Sequence, residues 1–242
     1  GSGRVGKRTM IHPVVALPGI YEHEINPFYG APQSAISDQF VDRGPDKMGF
    51  FLESAPVHPV LASLGFAGFG SEQGEFLEKL SHTGVILAPM VDGILPHDEG
   101  GTVSLRSDGR IKFDYPVGDP LIESFREAHK LMAELELAAG VKKAVSLHVD
   151  KVVVESKADI ARFDSAEYGA LKHSIFSAHQ MGGCTMGTNP DTTVVDSTLR
   201  YHSLDNLFVV DGSVFPTALG VNPSQSVYGL ASFATDAVAS RT

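Results

Sequence analysis

Residues 207–239, LFVVDGSVFPTALGVNPSQSVYGLASFATDAVA, hold an apolar run, a short loop and an amphipathic segment. The run at 207–210 predicts a buried strand that ends at Asp211-Gly212-Ser213. Asn222 and Pro223 predict a helix start, with Asn222 as the cap and Pro223 at the first position. The helix carries one apolar stripe, formed by Val227, Leu230, Ala231, Ala234 and Val238. A strand, a loop and a capped helix in this order commonly bind a ligand at the helix N-terminus.

The composition predicts a globular protein with a substantial core. Of the 242 residues, 43% are hydrophobic and 20% are charged, which suits one large domain or two smaller ones. The formal net charge is -10 and the basic residues do not cluster, which argues against a nucleic-acid partner. No apolar run reaches the roughly 18 residues of a membrane span. Cys184 is the only cysteine, so an internal disulfide is excluded and a reducing compartment, the cytoplasm, is favoured.

The first six residues, GSGRVG, match the letters of a dinucleotide-binding loop, G-x-G-x-x-G. Such a loop binds phosphates only between a strand and a helix, because the N-terminal amides of that helix face the ligand. No strand sequence leads into these glycines, and Pro13 and Pro18 stand where the helix would run. We therefore expect a connecting turn here and no phosphate site.

Residues 101–116 alternate between apolar and polar on both sides of Ser-Asp-Gly, which predicts a β-hairpin. A two-residue loop would pair Leu105 with Lys112. A three-residue loop, with Gly109 in the left-handed conformation, instead pairs Leu105 with Ile111. Facing apolar pairs stabilise a hairpin, so the three-residue loop is predicted.

Between residues 14 and 100 the sequence has short apolar runs that are interrupted by Gly and Pro, which predicts strands there. A long helix is predicted over residues 119–140. Asp119 suits its cap, Pro120 its first turn and Gly140 its end. The apolar residues on one face are Leu121, Phe125, Ala128, Met132, Leu135 and Ala139.

Residues 177–187, SAHQMGGCTMG, place His179, Met181, Cys184 and Met186 close together in the sequence. Imidazole, thiolate and thioether groups together suit a soft metal such as copper. A buried turn that packs Met and Cys is a second interpretation. A third is a histidine acting as acid or base, with glycines that let a planar ligand approach the backbone. The other histidines show no zinc-ligand spacing, and no metal site is assigned.

Taken together, these motifs resemble the C-terminal part of the glucose-methanol-choline (GMC) flavoprotein oxidoreductases. The stretch from His179 to Ala239 carries most of the resemblance, through the linked sequences HQMGGCTMG and TTVVDSTLRYHSLDNLFVVDGSVFPTALGVNPSQSVYGLA. The hairpin and the helix after it are most similar to the long-chain alcohol oxidase branch. The resemblance implies an α+β fold with an antiparallel-sheet substrate domain, followed by the C-terminal part of an FAD-binding α/β domain. The implied boundaries are a connecting segment at 1–15, a substrate-binding domain at 16–172 and a return into the FAD-binding domain at 173–242.

The same resemblance implies FAD-dependent oxidation of a hydrophobic alcohol, with a sterol or other bulky alcohol as the nearest alternative. His179 would take the hydroxyl proton while a hydride passes to flavin N5, and Asn222 would orient the same oxygen. Amides near Pro223 and Ser224 would face the flavin pyrimidine edge. Asp211 and Gly212 would meet the ribityl or phosphate region.

The sequence also departs from the family pattern. Thr185 stands where an arginine is usual, and Lys7-Arg8 stand where an asparagine is usual near the flavin. The N-terminal half, which carries the family's phosphate loop, is not in this chain. We therefore expect weak or absent FAD binding by this chain alone. A catalytically inactive chain that binds a separate flavin-binding partner is the alternative from a different functional class.

Overall fold

The computed structural model describes residues 2–31, 33–65 and 68–240. Within them the strands are β1 (Lys7–Met10), β2 (Val14–Ile20), β3 (Ile36–Ser37), β4 (Leu52–Ser54), β5 (Thr83–Pro89), β6 (Gly101–Leu105), β7 (Ile111–Asp114), β8 (Lys143–Val145), β9 (Val153–Val154) and β10 (Met181–Gly183). The α-helices are α1 (Pro59–Gly65), α2 (Ser71–Glu78), α3 (Asp119–Ala138) and α4 (Ser224–Ala239). The strands form two sheets whose strand pairs are all antiparallel. The predicted α+β class is confirmed.

The chain divides into two compact units by its internal contacts. Unit 1 comprises Gly1–Pro13, Val91–Pro116 and Ser177–Thr242, and unit 2 comprises Val14–Met90 and Val117–Phe176. These units are defined by chain contacts alone. The predicted division into connecting, substrate-binding and FAD-domain segments is a statement about roles and stays a prediction.

Unit 1 contains a four-stranded sheet in the order β10-β1-β6-β7. In this sheet β1 lies between β10 and β6, with Lys7 opposite Gly183 on one side and Thr102 on the other. Gly182 has a φ of 72°, and a Cβ atom there would lie 2.1 Å from the carbonyl oxygen of Arg8. Only glycine fits this position, because the backbones of β1 and β10 approach too closely for a side chain. The first glycine of the pair after His179 is thus explained by strand pairing.

The predicted hairpin is confirmed in β6 and β7. Leu105 pairs with Ile111 and Val103 with Phe113. Gly109 has a φ of 80°, as the three-residue loop requires.

The last segment of unit 1 differs from the sequence prediction in two details. Residues 207–210 form no strand, because only an isolated bridge joins Phe208 to Arg200 and these residues lie half-buried or exposed. Helix α4 is present but begins at Ser224, with Pro223 in the cap position and no side-chain cap hydrogen bond. The prediction of Asn222 as the cap was therefore wrong, because Pro223 occupies the cap position and its carbonyl already accepts the amide of Val227 at 2.9 Å.

Unit 2 contains a six-stranded sheet in the order β3-β4-β5-β2-β8-β9. The central strand β2 is buried at six of its seven positions, and it pairs with β5 along its whole length. Helix α3 packs on this sheet and contacts both central strands. The sequence prediction of strands in the apolar runs is confirmed for β2 and β5, which carry the continuous apolar sequences that a sheet centre favours.

Helix α3 follows its predicted extent with a different start. Gly118 occupies the cap position without a side-chain cap, so the prediction of Asp119 as the cap was wrong. Asp119 instead lies in the first turn, where a carboxylate interacts favourably with the helix dipole. Gly140 follows the helix with a φ of 88°, as expected for its C-terminal end. Among the described residues, no helix combines the length and the apolar character that crossing a membrane requires.

Candidate active site

A cleft of about 230 Å³ lies at the N-terminus of α4 in unit 1. Four of the predicted site residues line it, namely His179, Gly212, Pro223 and Ser224. Its other walls include the side chains of Val227 and Tyr228. The first amides of a helix have no partner within the helix, so the cleft presents hydrogen-bond donors and a partial positive charge beside a histidine.

The other two predicted site residues lie beside the cleft and are not among the residues that line it. Asp211 is exposed, and its carboxylate accepts the amide of Ser213 at 2.8 Å, which begins a short 3₁₀ turn at Gly212–Val214. Asn222 is half-buried and directly precedes Pro223. A Cβ atom at Gly212 would lie 2.9 Å from the carbonyl oxygen of Gln180, so the turn fits only with glycine or after a small shift. The chemical roles assigned to these residues stay predictions.

His179 has a histidine partner that the sequence analysis missed. Its Nδ1 lies 3.1 Å from Nδ1 of His12, and the two ring centroids are 5.2 Å apart. His12 is fully buried, whereas His179 is half-buried and lines the cleft. One ring therefore donates and the other accepts, and Nε2 is the nitrogen of His179 that this contact leaves for a ligand.

A buried carboxylate holds the backbone that carries His12. Asp92 accepts the amide of Ile11 at 2.9 Å and the amide of His12 at 3.1 Å. It also accepts the hydroxyl of Tyr115 at 2.9 Å. Its own main-chain carbonyl accepts the amide of Ala218 at 3.1 Å. Asp92 therefore links the segment before β2, the loop after β5 and the loop that leads to Asn222.

Burial sets the protonation of these groups. It lowers the pKa of His179 below the ordinary histidine value, so the ring is neutral at neutral pH and can accept a proton. Burial, with a smaller effect from the neighbouring His179, lowers the pKa of His12 to about 3. Burial raises the pKa of Asp92 to about 6 despite its hydrogen bonds. Of His179, His12 and Asp92, His179 is the group that is both neutral at neutral pH and in contact with the cleft, as a base requires.

Arg8, one of the departures from the family pattern, has a structural role in unit 1. Its guanidinium donates to the carbonyls of Gly93 at 2.6 Å, Pro216 at 2.9 Å and Asp98 at 3.0 Å. One side chain thus ties β1 to two loops. Arg8 also has a φ of 58°, a left-handed conformation that is uncommon outside glycine.

The soft-metal interpretation of residues 177–187 gains no support from the geometry. Met181 lies in β10 and is fully buried. Burial raises the pKa of the Cys184 thiol, which disfavours the thiolate that binds metals. In the described parts of the chain, no group of three or more His, Cys, Asp or Glu side chains is arranged to hold a metal ion.

A second group of histidines lies in unit 2, and we call His129, His148 and His173 the buried histidine cluster. Their ring centroids lie 5.1 Å apart for His129 and His148, and 5.2 Å apart for His148 and His173. Phe163 and Tyr168 pack against them in edge or tilted contacts. The Nδ1 of His129 lies 2.8 Å from the carbonyl of the residue four positions earlier, so this buried ring has a hydrogen-bond partner on its own helix.

The comparisons with known proteins agree with this architecture. The family model described as GMC oxidoreductase matches residues 96–231. This chain belongs to the GMC oxidoreductase family and corresponds to the C-terminal part of its members. It is 30% identical over 250 residues to a long-chain-alcohol oxidase of Arabidopsis thaliana, covering 95% of this chain and 33% of the relative. A cholesterol oxidase of Acinetobacter baumannii is 48% identical over 56 residues, which is 23% of this chain and 10% of that protein.

Solved structures match at the level of the fold. A pyridoxine 4-oxidase from Mesorbium loti matches with a TM-score of 0.64 and 20% identity, covering 97% of this chain and 44% of the other. A formate oxidase from Aspergillus oryzae matches with a TM-score of 0.65 and 17% identity, covering 99% and 48%. The chain spans 33% of the length of the long-chain-alcohol oxidase and 35% of an uncharacterized GMC-type oxidoreductase of Mycobacterium tuberculosis.

Members of this family bind FAD, and the cleft can be tested against that group. Its glycine turn, helix N-terminus and histidine fit the edge of a planar ring that gains negative charge. No lysine or arginine is among the lining residues, so the cleft offers no cation to a pyrophosphate. The residues that line this cleft therefore suit the ring of the cofactor, and they include no cation for its phosphates.

Proposed function

We propose that this chain supplies the substrate-side part of an FAD-dependent alcohol oxidoreductase, with His179 as the base. The observation that carries the proposal is the position of a neutral histidine in a cleft formed by the N-terminus of α4 and the Gly212 turn. Family membership supports oxidoreduction, and the names of two relatives, a long-chain-alcohol oxidase and a cholesterol oxidase, support an alcohol as the substrate.

The proposed chemistry assigns one step to each group. His179 accepts the hydroxyl proton of the alcohol at Nε2, which leaves the carbinol carbon able to release a hydride. When bound, FAD supplies the acceptor for that hydride. Asn222 would fix the orientation of the oxygen, and the amides around Pro223 and Ser224 would face the flavin pyrimidine edge. Asp211 and Gly212 would meet the ribityl or phosphate region.

A hydrophobic alcohol is the proposed substrate class. The relatives' names support this class, and so does an apolar groove of about 450 Å³ in unit 1. The groove is lined by Val5, Ile11, Val103, Ile111 and Phe113 among others. An exposed apolar groove of this size favours the binding of a lipophilic ligand or of another apolar surface. A sterol or another bulky alcohol is the alternative within the same class. A reducing compartment is part of the proposal and rests on the single Cys184.

The experiment is a His179→Ala substitution in the FAD-loaded assembly of this chain with a flavin-binding half, supplied in the same polypeptide or as a separate chain. We expect turnover to fall by about 10²- to 10⁴-fold, the range of a lost general base, with bound flavin unchanged. A His202→Ala variant is the matched control, because His202 is half-buried in the same unit and contacts Thr193. Unchanged turnover in His179→Ala would refute the role.

The alternative function is that of a catalytically inactive chain that completes a partner's fold. It is favoured by the cleft's lack of a phosphate-binding cation, since the cofactor's phosphates would then be held elsewhere. Both functions predict that this chain alone binds FAD weakly or not at all. Stoichiometric flavin absorbance in the purified chain would contradict that prediction. A wild-type assembly that binds FAD and shows no alcohol-dependent flavin reduction would favour the inactive role.

A further inference from the structure

We propose that His12 is a positioning residue, which accepts a hydrogen bond from Nδ1–H of His179 and so keeps Nε2 of His179 unprotonated. The inference rests on the proposed function of His179 as the base. It concerns a residue 167 positions away in the sequence, whose contact with His179 is direct. The proposal assigns His12 an action through His179 and no contact with the substrate.

The direction of the hydrogen bond follows from the balance of protons. The two rings meet through Nδ1 and Nδ1 at 3.1 Å, so only one of these nitrogens carries a hydrogen. If His12 donated, the neutral ring of His179 would carry its hydrogen on Nε2 and could not take a proton there. If His179 donates, Nε2 holds a lone pair. The alcohol O–H bond then breaks, an Nε2–H bond forms, and the Nδ1–H bond is unchanged throughout.

The surroundings of His12 favour the acceptor role. When His179 becomes an imidazolium, both of its nitrogens carry hydrogens, so its partner at Nδ1 must be an acceptor. His12 is fully buried, and its burial keeps it neutral, with a pKa of about 3. A neutral ring can accept this hydrogen bond, whereas a second cation would repel the imidazolium. The hydrogen bond becomes charge-assisted as the proton arrives, so it is stronger after the transfer than before.

The backbone that carries His12 is held in place from two directions. Asp92 accepts the amides of Ile11 and His12, which fixes the backbone on one side. The hydroxyl of Ser177 donates to the carbonyl of Ile11, and Gln180 donates to that hydroxyl at 2.8 Å. The segment that carries His179 is therefore tied to the segment that carries His12 by a second route. Such double support is typical of groups whose orientation matters.

The direct test is the tautomeric state of both rings in the unaltered 242-residue chain, measured by ¹⁵N NMR of the histidine side chains at neutral pH. We expect Nδ1 of His179 and Nε2 of His12 to be protonated, and Nε2 of His179 and Nδ1 of His12 to be unprotonated. A scalar coupling between the two Nδ1 nuclei would show the hydrogen bond itself. A protonated Nε2 in neutral His179 would overturn the proposal, even if His179→Ala abolished turnover and so supported the proposed function.

Two substitutions supply a functional test in the FAD-loaded assembly. His12→Asn keeps an acceptor near the position of Nδ1, and asparagine tolerates the φ of 50° found at residue 12. His12→Leu has a similar size and no acceptor. We expect the Leu variant to lose about 10- to 100-fold in turnover, as for a lost hydrogen bond to a charged group. The Asn variant should stay within about threefold of the unaltered protein.

The variants also have a readout that does not depend on turnover. The NMR spectrum of His12→Asn should keep the Nδ1–H tautomer of His179, and that of His12→Leu should lose it. Equal losses of turnover in both variants, with the tautomer unchanged in both, would reduce His12 to a packing residue and overturn the proposal. If the Leu variant does not fold, the tautomers of the unaltered chain still decide the question.

Discussion

The His12–His179 pair of unit 1 and the buried histidine cluster of unit 2 use the same side chain in opposite ways. In unit 1 one histidine is sealed and its partner lines a cleft, so a proton can reach the pair. In unit 2, His129, His148 and His173 are all buried and packed against Phe and Tyr rings; His148 also borders a cavity of about 260 Å³, whereas His129 is enclosed. Burial lowers the pKa in both places. The difference shows that a depressed histidine pKa marks burial first, and becomes a sign of chemistry only with access to a ligand.

The largest expected effect compares two deletions of a histidine ring in this chain. His129→Ala removes a fully enclosed ring and should lower the free energy of unfolding by about 3 kcal/mol, as for other large-to-small core substitutions. His179→Ala removes a half-buried ring and one hydrogen bond, and should cost about 1 kcal/mol. Urea denaturation of both variants measures the contrast. Equal losses of unfolding free energy would show that the two histidines contribute to stability in the same way, against the proposed contrast.

A smaller expected effect is the pH dependence of stability that the buried histidine cluster causes, as distinct from the effect of losing a buried side chain. Burial lowers the pKa of His129 to about 3, so between that value and the ordinary 6.5 the unfolded chain binds more protons than the folded chain. This contribution to stability is therefore present above pH 6.5 and is lost as the pH falls. His129→Phe keeps a ring and removes the proton site. Relative to the unaltered chain, it should gain about 2 kcal/mol of stability between pH 7 and pH 5.

His82→Phe is a suitable control for that experiment, because His82 lies in the same unit on a half-buried turn. This control measures how much of any pH-dependent difference comes from replacing a histidine outside the buried histidine cluster. A pH-independent difference for His129→Phe would mean that the buried cluster does not titrate as described. In that case the burial of these histidines would not make the stability of unit 2 sensitive to acid.

The smallest expected effect has the opposite sign and tests a carboxyl of unit 2. Burial raises the pKa of Glu136 to about 7, while Tyr21 donates a hydrogen bond to it. The folded chain therefore binds more protons than the unfolded chain between pH 4.5 and 7, and this contribution is lost as the pH rises. Glu136→Gln should gain about 1.5 kcal/mol relative to the unaltered chain between pH 5.5 and pH 7. A gain on acidification instead would show that the pKa of Glu136 is not raised in the folded chain.

The sequence predicted the features that depend on local pattern. The hairpin at 101–116 was read correctly down to its loop length, because pleated alternation and a glycine at a fixed place determine the register. Helix α3 and helix α4 were found from their apolar periodicity. The motif around His179 led to the GMC family, and the family match over residues 96–231 confirmed it.

The features that were missed depend on contacts between distant parts of the chain. The apolar run at 207–210 could be read as a strand, but no local signal says whether a neighbouring strand will pair with it. His12 meets His179 only because Asp92 holds residues 11 and 12 in place from 80 positions away. A signal for Asp92 did exist. A single acidic residue within the apolar run VILAPMVDGIL indicates a buried carboxylate, which must have hydrogen-bond partners. The assignment of its partners required the structure.

The assembly of each unit from separate chain segments has a consequence for the order of folding during synthesis. Unit 2 is complete once the ribosome has released Phe176, so its sheet and α3 can form while the remainder is still being made. Strand β1 in unit 1 must wait for β10, more than 170 positions later, to fill its second edge. Until then β1 exposes unpaired backbone groups and is open to non-native pairing. A nascent chain stalled after residue 176 would therefore present a folded core together with a strand that a chaperone could bind.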